Sequence, residues 1–142
     1  MQTILRATTI LVLNKEEAQA ILGQRINSEK ELLEKLRKLG PQIVIITNGS
    51  KKLSASDGEL IYNLTPFKVM VKQTAGAGDA FTSGFLSGII KNYPLEKALC
   101  LGQVNAASVV QYLGTKKGLL TERDAEKMRK KHHLRVEAHY VR

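Results

Sequence analysis

A single cysteine, Cys100, stands in this chain, so no disulfide forms within it and a reducing compartment is its ordinary setting. Tryptophan is absent and aromatics are only 5% of the 142 residues, which leaves little for stacking against single-stranded nucleic acid. No apolar run approaches the roughly 20 residues that cross a bilayer. The opening Met1-Gln2-Thr3-Ile4-Leu5-Arg6 has no charged leader followed by a sustained apolar block. A cytoplasmic protein without membrane association is expected. His132, His133 and His139 lack cysteine or carboxylate companions at ligand spacing, so a solvated tail explains them better than a metal site.

What is present suits one domain: 43% hydrophobic and 25% charged residues. The formal net charge is +9. From Arg123 to Arg142, seven Lys or Arg face three acids, so this stretch carries +4 of the excess. The remainder lies on helix faces such as Glu29-Lys30-Glu31 and Glu34-Lys35, where local pairing is the simple explanation. Nucleic-acid binding is therefore not expected. A polyanionic nucleotide suits the charge equally well.

Along the chain, the apolar run Thr9 to Leu13 predicts a strand buried on both faces. A helix from about Lys15 to Leu22 ends at Gly23. Ser28 and Glu31 form a capping box for a second helix striped by Leu32, Leu33, Leu36 and Leu39, which Gly40-Pro41 stops. Ile43 to Ile46 is the next strand, and strand, helices, strand in this order require a parallel pair. Asp57-Gly58 suits the turn of a hairpin between residues 53–56 and 59–62. Val69-Met70-Val71 predicts another strand. Helices are predicted from about Asp79 to Lys91, from Pro94 to Leu113 with Gly114 closing it, and from Thr121 to about Lys131. The class is α/β: a mainly parallel sheet flanked by helices in three layers, with a small antiparallel hairpin. Residues 1–131 form the domain and residues 132–142 a basic tail. That tail alternates from Leu134 to Val141 well enough for a strand, and fraying explains it equally well.

The chemistry concentrates in Thr74-Ala75-Gly76-Ala77-Gly78-Asp79-Ala80-Phe81. Phe81 stands where a Rossmann fingerprint needs glycine, and the Gly-Lys-Ser/Thr ending of a Walker loop is absent. A loop without bulky side chains running into a helix still lets backbone N–H groups approach an anion, and the helix terminus adds positive potential. Asp79 falls beside that site. Capping and the macrodipole also favour aspartate in any first turn. Ser83, Gly84, Ser87 and Gly88 are most simply a face for close packing, and Cys100 a small buried residue.

Gly76-Ala77-Gly78-Asp79-Ala80-Phe81 resembles the signature of the ribokinase (PfkB) family of carbohydrate kinases. Asn14-Lys15-Glu16-Glu17 is similar to that family's Asn-x-x-Glu motif. Thr47-Asn48-Gly49 resembles its Thr-x-Gly, and Asn105-Ala106-Ala107 its small-residue helix segment near the adenine. The resemblance runs from about Leu11 to Lys130 and is that of the ATP-binding, C-terminal half. It implies that Asp79 takes a proton from a sugar hydroxyl attacking ATP, while the N–H groups of Gly76, Ala77 and Gly78 hold the transferring phosphoryl group. It implies that Thr47, Gly49, Thr74 and Asn105 line the nucleotide cleft. Glu17 and Asn14 would hold Mg²⁺, through water. From the residues alone, Asn14 and Glu17 read more simply as a helix cap.

The family usually has Asp where Gln73 stands, at a position that serves a monovalent-cation site in many members, and Ala75 replaces a frequent Thr. Family members are also about twice as long, their amino-terminal half supplying most sugar contacts. Association with another copy, or with a separate chain supplying that half, is expected. Two functions compete: an ATP-dependent kinase for a sugar-like alcohol, and a catalytically silent nucleotide-binding or assembly subunit derived from one.

Overall fold

The computed structural model describes residues 2–115 and 117–141, with only the backbone of Gln2; Met1, Lys116 and Arg142, the last residue of the basic tail, lie outside the described residues. The chain divides into two compact units, Met1–Asn63 with Glu137–Arg142, and Leu64–Val136.

The first unit opens with a short helix α1 (Gln2–Arg6), followed by β1 (Ile10–Asn14), α2 (Lys15–Leu22), α3 (Glu29–Arg37) and β2 (Ile43–Thr47). The hairpin strands β3 (Leu53–Ser56) and β4 (Leu60–Leu64) come next. The strand order is β1-β2-β3-β4-β5, where β5 is Val136–Tyr140. β1 and β2 are parallel, Ile10 opposite Ile43 and Asn14 opposite Thr47, while β2 and β3 are antiparallel. The sheet is therefore mixed, as a βαβ crossover followed by a hairpin dictates. The leucine stripe of α3 performs as its spacing predicts. Leu32, Leu33 and Leu36 pack with Ala18, Ile26, Val44, Ile46 and Ile61 in one apolar cluster. Val44 and Ile46, two apart, share a sheet face.

Caps account for the helix ends. Gly23 closes α2 in the left-handed conformation at φ 66°, and the Ser28 hydroxyl accepts from the Glu31 N–H at 3.3 Å. For Ser28 only this half of the predicted box is present; the complete box belongs to α2. In the hairpin, Asp57 Oδ1 accepts from the N–H groups of Glu59 (2.9 Å) and Leu60 (2.8 Å), and its Oδ2 from the Tyr62 hydroxyl (2.6 Å). Burial pushes the Asp57 carboxyl up, but the Tyr62, Leu60 and Glu59 hydrogen bonds outweigh it and hold the group below its ordinary value.

The second unit carries α4 (Ala77–Ile90), α5 (Leu95–Val109) and α6 (Glu122–Lys131). α5 is buried nearly all round, from Ala98 to Val109 except Ala106, as an apolar helix without a polar face must be. α4 meets it through glycine: a Cβ on Gly84 would lie 2.7 Å from the Leu101 carbonyl, on Gly88 2.9 Å from Ala98, and on Gly102 2.8 Å from the Phe81 carbonyl. The two backbones approach closely because nothing stands between them. Ser83 and Ser87, expected on the same packing face, are exposed.

Four boundaries differ from the sequence expectation. β1 is half-buried rather than buried, because it ends the sheet. Val69 to Val71 form no strand; Met70 and Val71 are exposed, and the N–H groups of Lys72 and Gln73 go to the Val110 carbonyl instead of a ladder. α4 starts at Ala77, ahead of Asp79, because Gly76 takes the left-handed conformation and caps it. α5 stops at Val109, where Gln111 and Tyr112 tighten into i to i−3 bonds, leaving Leu113 exposed.

Candidate functional site

In the first unit, the parallel register sets Asn14 beside Thr47 at the carboxyl ends of β1 and β2, the end at which open α/β sheets bind ligands. Asn14 is the N-cap of α2: its side chain accepts from the Glu17 N–H, and Glu17 Oε2 accepts from the Asn14 N–H, both at 2.8 Å. One Glu17 oxygen stays outside this box, on an exposed side chain. Thr47 donates its hydroxyl to the Leu13 carbonyl at 3.3 Å. Gly49 turns the chain just beyond at φ 57°. Four of the expected nucleotide-binding residues thus gather at one strand end.

In the second unit, the bend before α4 is shorter than the expected loop, since Ala77 and Gly78 already belong to the helix. Gly76 sits at φ 83° and ψ −4°, a conformation that costs a side-chain-bearing residue energy, and a Cβ there would also press on Thr115 at 3.1 Å. Ala77 donates its N–H to the Thr74 carbonyl at 3.2 Å. Ala80 donates to the Gly76 carbonyl at 2.9 Å. The N–H groups of Gly76, before the helix, and of Gly78 and Asp79, in its first turn, have no protein acceptor among the described residues. The Asp79 side chain, third in the helix, is exposed and makes no hydrogen bond or ion pair there. Of the three amides expected to hold an anion, Ala77's is engaged within the bend, and Asp79's own joins those available.

Asn105 is buried on α5 with both ends of its amide engaged. Nδ2 donates to the Ala80 carbonyl at 2.8 Å, and Oδ1 accepts from the Leu120 N–H at 3.0 Å. It ties the first turn of α4 to the segment before α6, and it also lines a cavity of about 270 Å³ with Ser83, Gly84, Ser87 and Leu120. The side chain positions backbone on two sides of α5.

Gln73 was not singled out as a site residue, yet it holds the bend in place. Its Oε1 accepts from the Gly114 N–H at 3.0 Å, and the N–H groups of Lys72 (2.8 Å) and Gln73 (3.2 Å) reach the Val110 carbonyl. The partners lie about 40 residues away in sequence, so no local pattern signals them.

No group of three or more His, Cys, Asp or Glu is placed to hold a metal ion among the described residues, and His132 stacks on Phe67 with ring centres 4.0 Å apart. Burial pushes the Cys100 thiol up to about 11, opposed by Arg129 and helped by Glu126 and Glu96. Iodoacetamide at pH 8 should therefore label native Cys100 at least about 100-fold more slowly than the unfolded chain. Because the folded thiol titrates above its usual 9.0, its stabilising contribution is complete below that pH and is lost as pH rises toward about 11. Alkaline melts of the protein against Cys100→Ala check the sign.

With this geometry in view, comparison with known proteins is decisive. Residues 1–122 match the model of the pfkB family of carbohydrate kinases. The chain belongs to that family. It is 34% identical over 114 residues to an ATP-dependent 6-phosphofructokinase of Thermoanaerobacterium thermosaccharolyticum, covering 80% of this chain and 35% of that one. It is 31% identical over 119 residues to an uncharacterized sugar kinase of Archaeoglobus fulgidus, covering 84% and 46%. The ribokinase of Thermotoga maritima superposes with a TM-score of 0.84 at 25% identity, over 92% of this chain and 45% of that one. Arabidopsis thaliana ribokinase complexed with ribose and ATP superposes with a TM-score of 0.82 at 24% identity, over 90% and 43%. The fold is the ribokinase-like α/β fold, and this chain spans less than half the length of these relatives. Among the described residues no helix is long and apolar enough to cross a membrane.

Proposed function

We propose that this chain supplies the nucleotide-binding and proton-accepting part of an ATP-dependent kinase acting on a hydroxyl of a sugar or sugar-like alcohol. One observation carries the reading: a left-handed Gly76 bend presents the N–H groups of Gly76, Gly78 and Asp79 beside an exposed carboxylate, none of them with a partner among the described residues.

Such a bend suits a phosphoryl oxygen, because amides fixed by a helix start need no reorganisation as charge develops. The Gly76, Gly78 and Asp79 N–H groups are the donors, and the Asp79 carboxylate takes the acceptor's proton as its oxygen attacks phosphorus. Gln73 and Thr115 hold the bend at its distance from the turn after α5. In the first unit, taken by itself, Thr47, Gly49 and the Asn14–Glu17 cap are suited to nucleotide contacts, and the outward oxygen of Glu17 suits a water of hydrated Mg²⁺, which sheds its waters reluctantly. Asn105 serves the site by positioning Ala80 and Leu120 rather than by offering a free amide.

The acceptor contacts come from outside these residues. The competing reading, a silent nucleotide-binding or assembly subunit, draws on the fact that the chain spans only 35% to 46% of its relatives. Thermal melts with Mg·ATP test the part both share. Saturation at a hundredfold excess over Kd should stabilise the chain by about 2.7 kcal/mol, and inorganic phosphate far less. No shift at millimolar Mg·ATP would sink both readings, and protection by DNA with a steep salt dependence would replace them with nucleic-acid binding. Transfer to a sugar alcohol after addition of the complementary half separates the kinase from the silent subunit.

A further inference from the structure

β5 is the last strand of the sheet order, and Glu137 to Tyr140 are all exposed. Its inner edge is taken: the Val141 N–H donates to the Glu59 carbonyl at 2.9 Å. Backbone groups of successive residues in a strand point to opposite edges. Residues 137, 139 and 141 therefore turn their N–H and C=O groups toward β4, while Val136, Ala138 and Tyr140 turn theirs outward. No other strand follows β5 among the described residues, so these outward groups form an open edge.

The sequence of this edge is complementary to itself. In an antiparallel pair of β5 strands centred on Ala138, Val136 faces Tyr140, Glu137 faces His139, and Ala138 faces its own copy. The outward parity makes Ala138 with Ala138, and Val136 with Tyr140, the hydrogen-bonded positions of the new ladder. Glu137 and His139 then occupy non-hydrogen-bonded positions, where opposed side chains come closest. Both stand on the sheet face where His139 lines a groove with Asn27, Glu29, Lys30 and Lys52. The charged groups of that groove are already matched: Lys52 lies 3.8 Å from Glu29, and Lys30 3.7 Å from Glu34. Glu137 and His139 have no partner among the described residues.

We propose that β5 is a self-association edge, and that two copies of this chain pair through it about a two-fold axis at Ala138, joining their sheets. The contact is isologous and closes at the dimer. Its small extent places it among weak, reversible interfaces. It is independent of the kinase reading, since no residue of the nucleotide site takes part.

Sedimentation of the full chain from about 5 to 500 µM, a range suited to a small interface, tests it. The expected result is a mass rising toward twice the monomer and no further. Ala138→Pro removes one outward N–H and leaves the bonds to β4 in place, as edge prolines do, and it should abolish the association. Glu137→Lys sets cation against imidazole twice in the dimer and should weaken association about tenfold. Exchanging the two groups, as Glu137→Lys with His139→Glu, should restore it. A monomer at every concentration overturns the proposal. So does a dimer indifferent to Ala138→Pro, assembly beyond the dimer, or a double variant that associates no better than Glu137→Lys alone.

Discussion

Asp79→Asn should lower phosphoryl transfer by about a thousandfold while leaving the Kd for Mg·ATP within about twofold, measured by titration calorimetry on the chain and by a coupled assay once the complementary half is added. The amide keeps the shape of the carboxylate and the N–H of residue 79, so the anion bend survives. What it loses is the capacity to take a proton, and with it the whole of a general-base contribution. ATP affinity should hold or rise slightly, because a negative charge beside a polyphosphate is removed. Stability should fall by no more than about 0.5 kcal/mol, the worth of an acid in the first turn of a helix. Asp79 is exposed and unpartnered among the described residues, so no buried network collapses with it. A loss of ATP binding as large as the loss of transfer would make Asp79 a binding or structural residue and remove the base from the mechanism.

Gly102→Val should be strongly destabilising to the second unit. Its Cβ would fall 2.8 Å from the Phe81 carbonyl and 2.9 Å from the Phe81 ring, with Phe81 itself buried and stacked near Phe85 at 6.1 Å between ring centres. Neither obstacle is the free end of a flexible chain. α4 and α5 must separate, or Phe81 must leave its rotamer, and overpacking of this kind costs about 3 kcal/mol. A fall in Tm of roughly 10 °C follows for a chain of this size. The consequence reaches the site, because Phe81 is two residues beyond Asp79 on the same helix. Gly78→Ala is the control: nothing lies within 4 Å of its Cβ position, and its backbone is already helical, so stability should hold or rise. Equal melts for Gly102→Val and the native chain would show that the helices are not in close contact.

Local physics made much of this molecule legible before any coordinate was known. The leucine spacing of α3, the Gly23 stop, the Thr121 cap and the Asp57-Gly58 turn are short-range matters, settled by one or two neighbours, and each appears where its residues place it. The glycine bend before α4 was legible for the same reason, since it too is settled by immediate neighbours. Val69 to Val71 misled because their β-branched, apolar composition resembles a strand, while the Val110 carbonyl takes the neighbouring amides. The length of α5 misled similarly: helical spacing continues to Leu113, but the same carbonyl is spent on the loop and the helix tightens and ends.

The sequence by itself determined the family, most of the elements and the presence of a carboxylate at the start of α4. Tertiary structure alone decided which polar groups remain free for chemistry. Asn105 looks as available as Asp79 when written in a line, and only a distant carbonyl and amide, brought near by packing, claim the first and leave the second exposed. Hydrogen-bond capacity is a property of a residue, whereas its vacancy depends on everything folded around it.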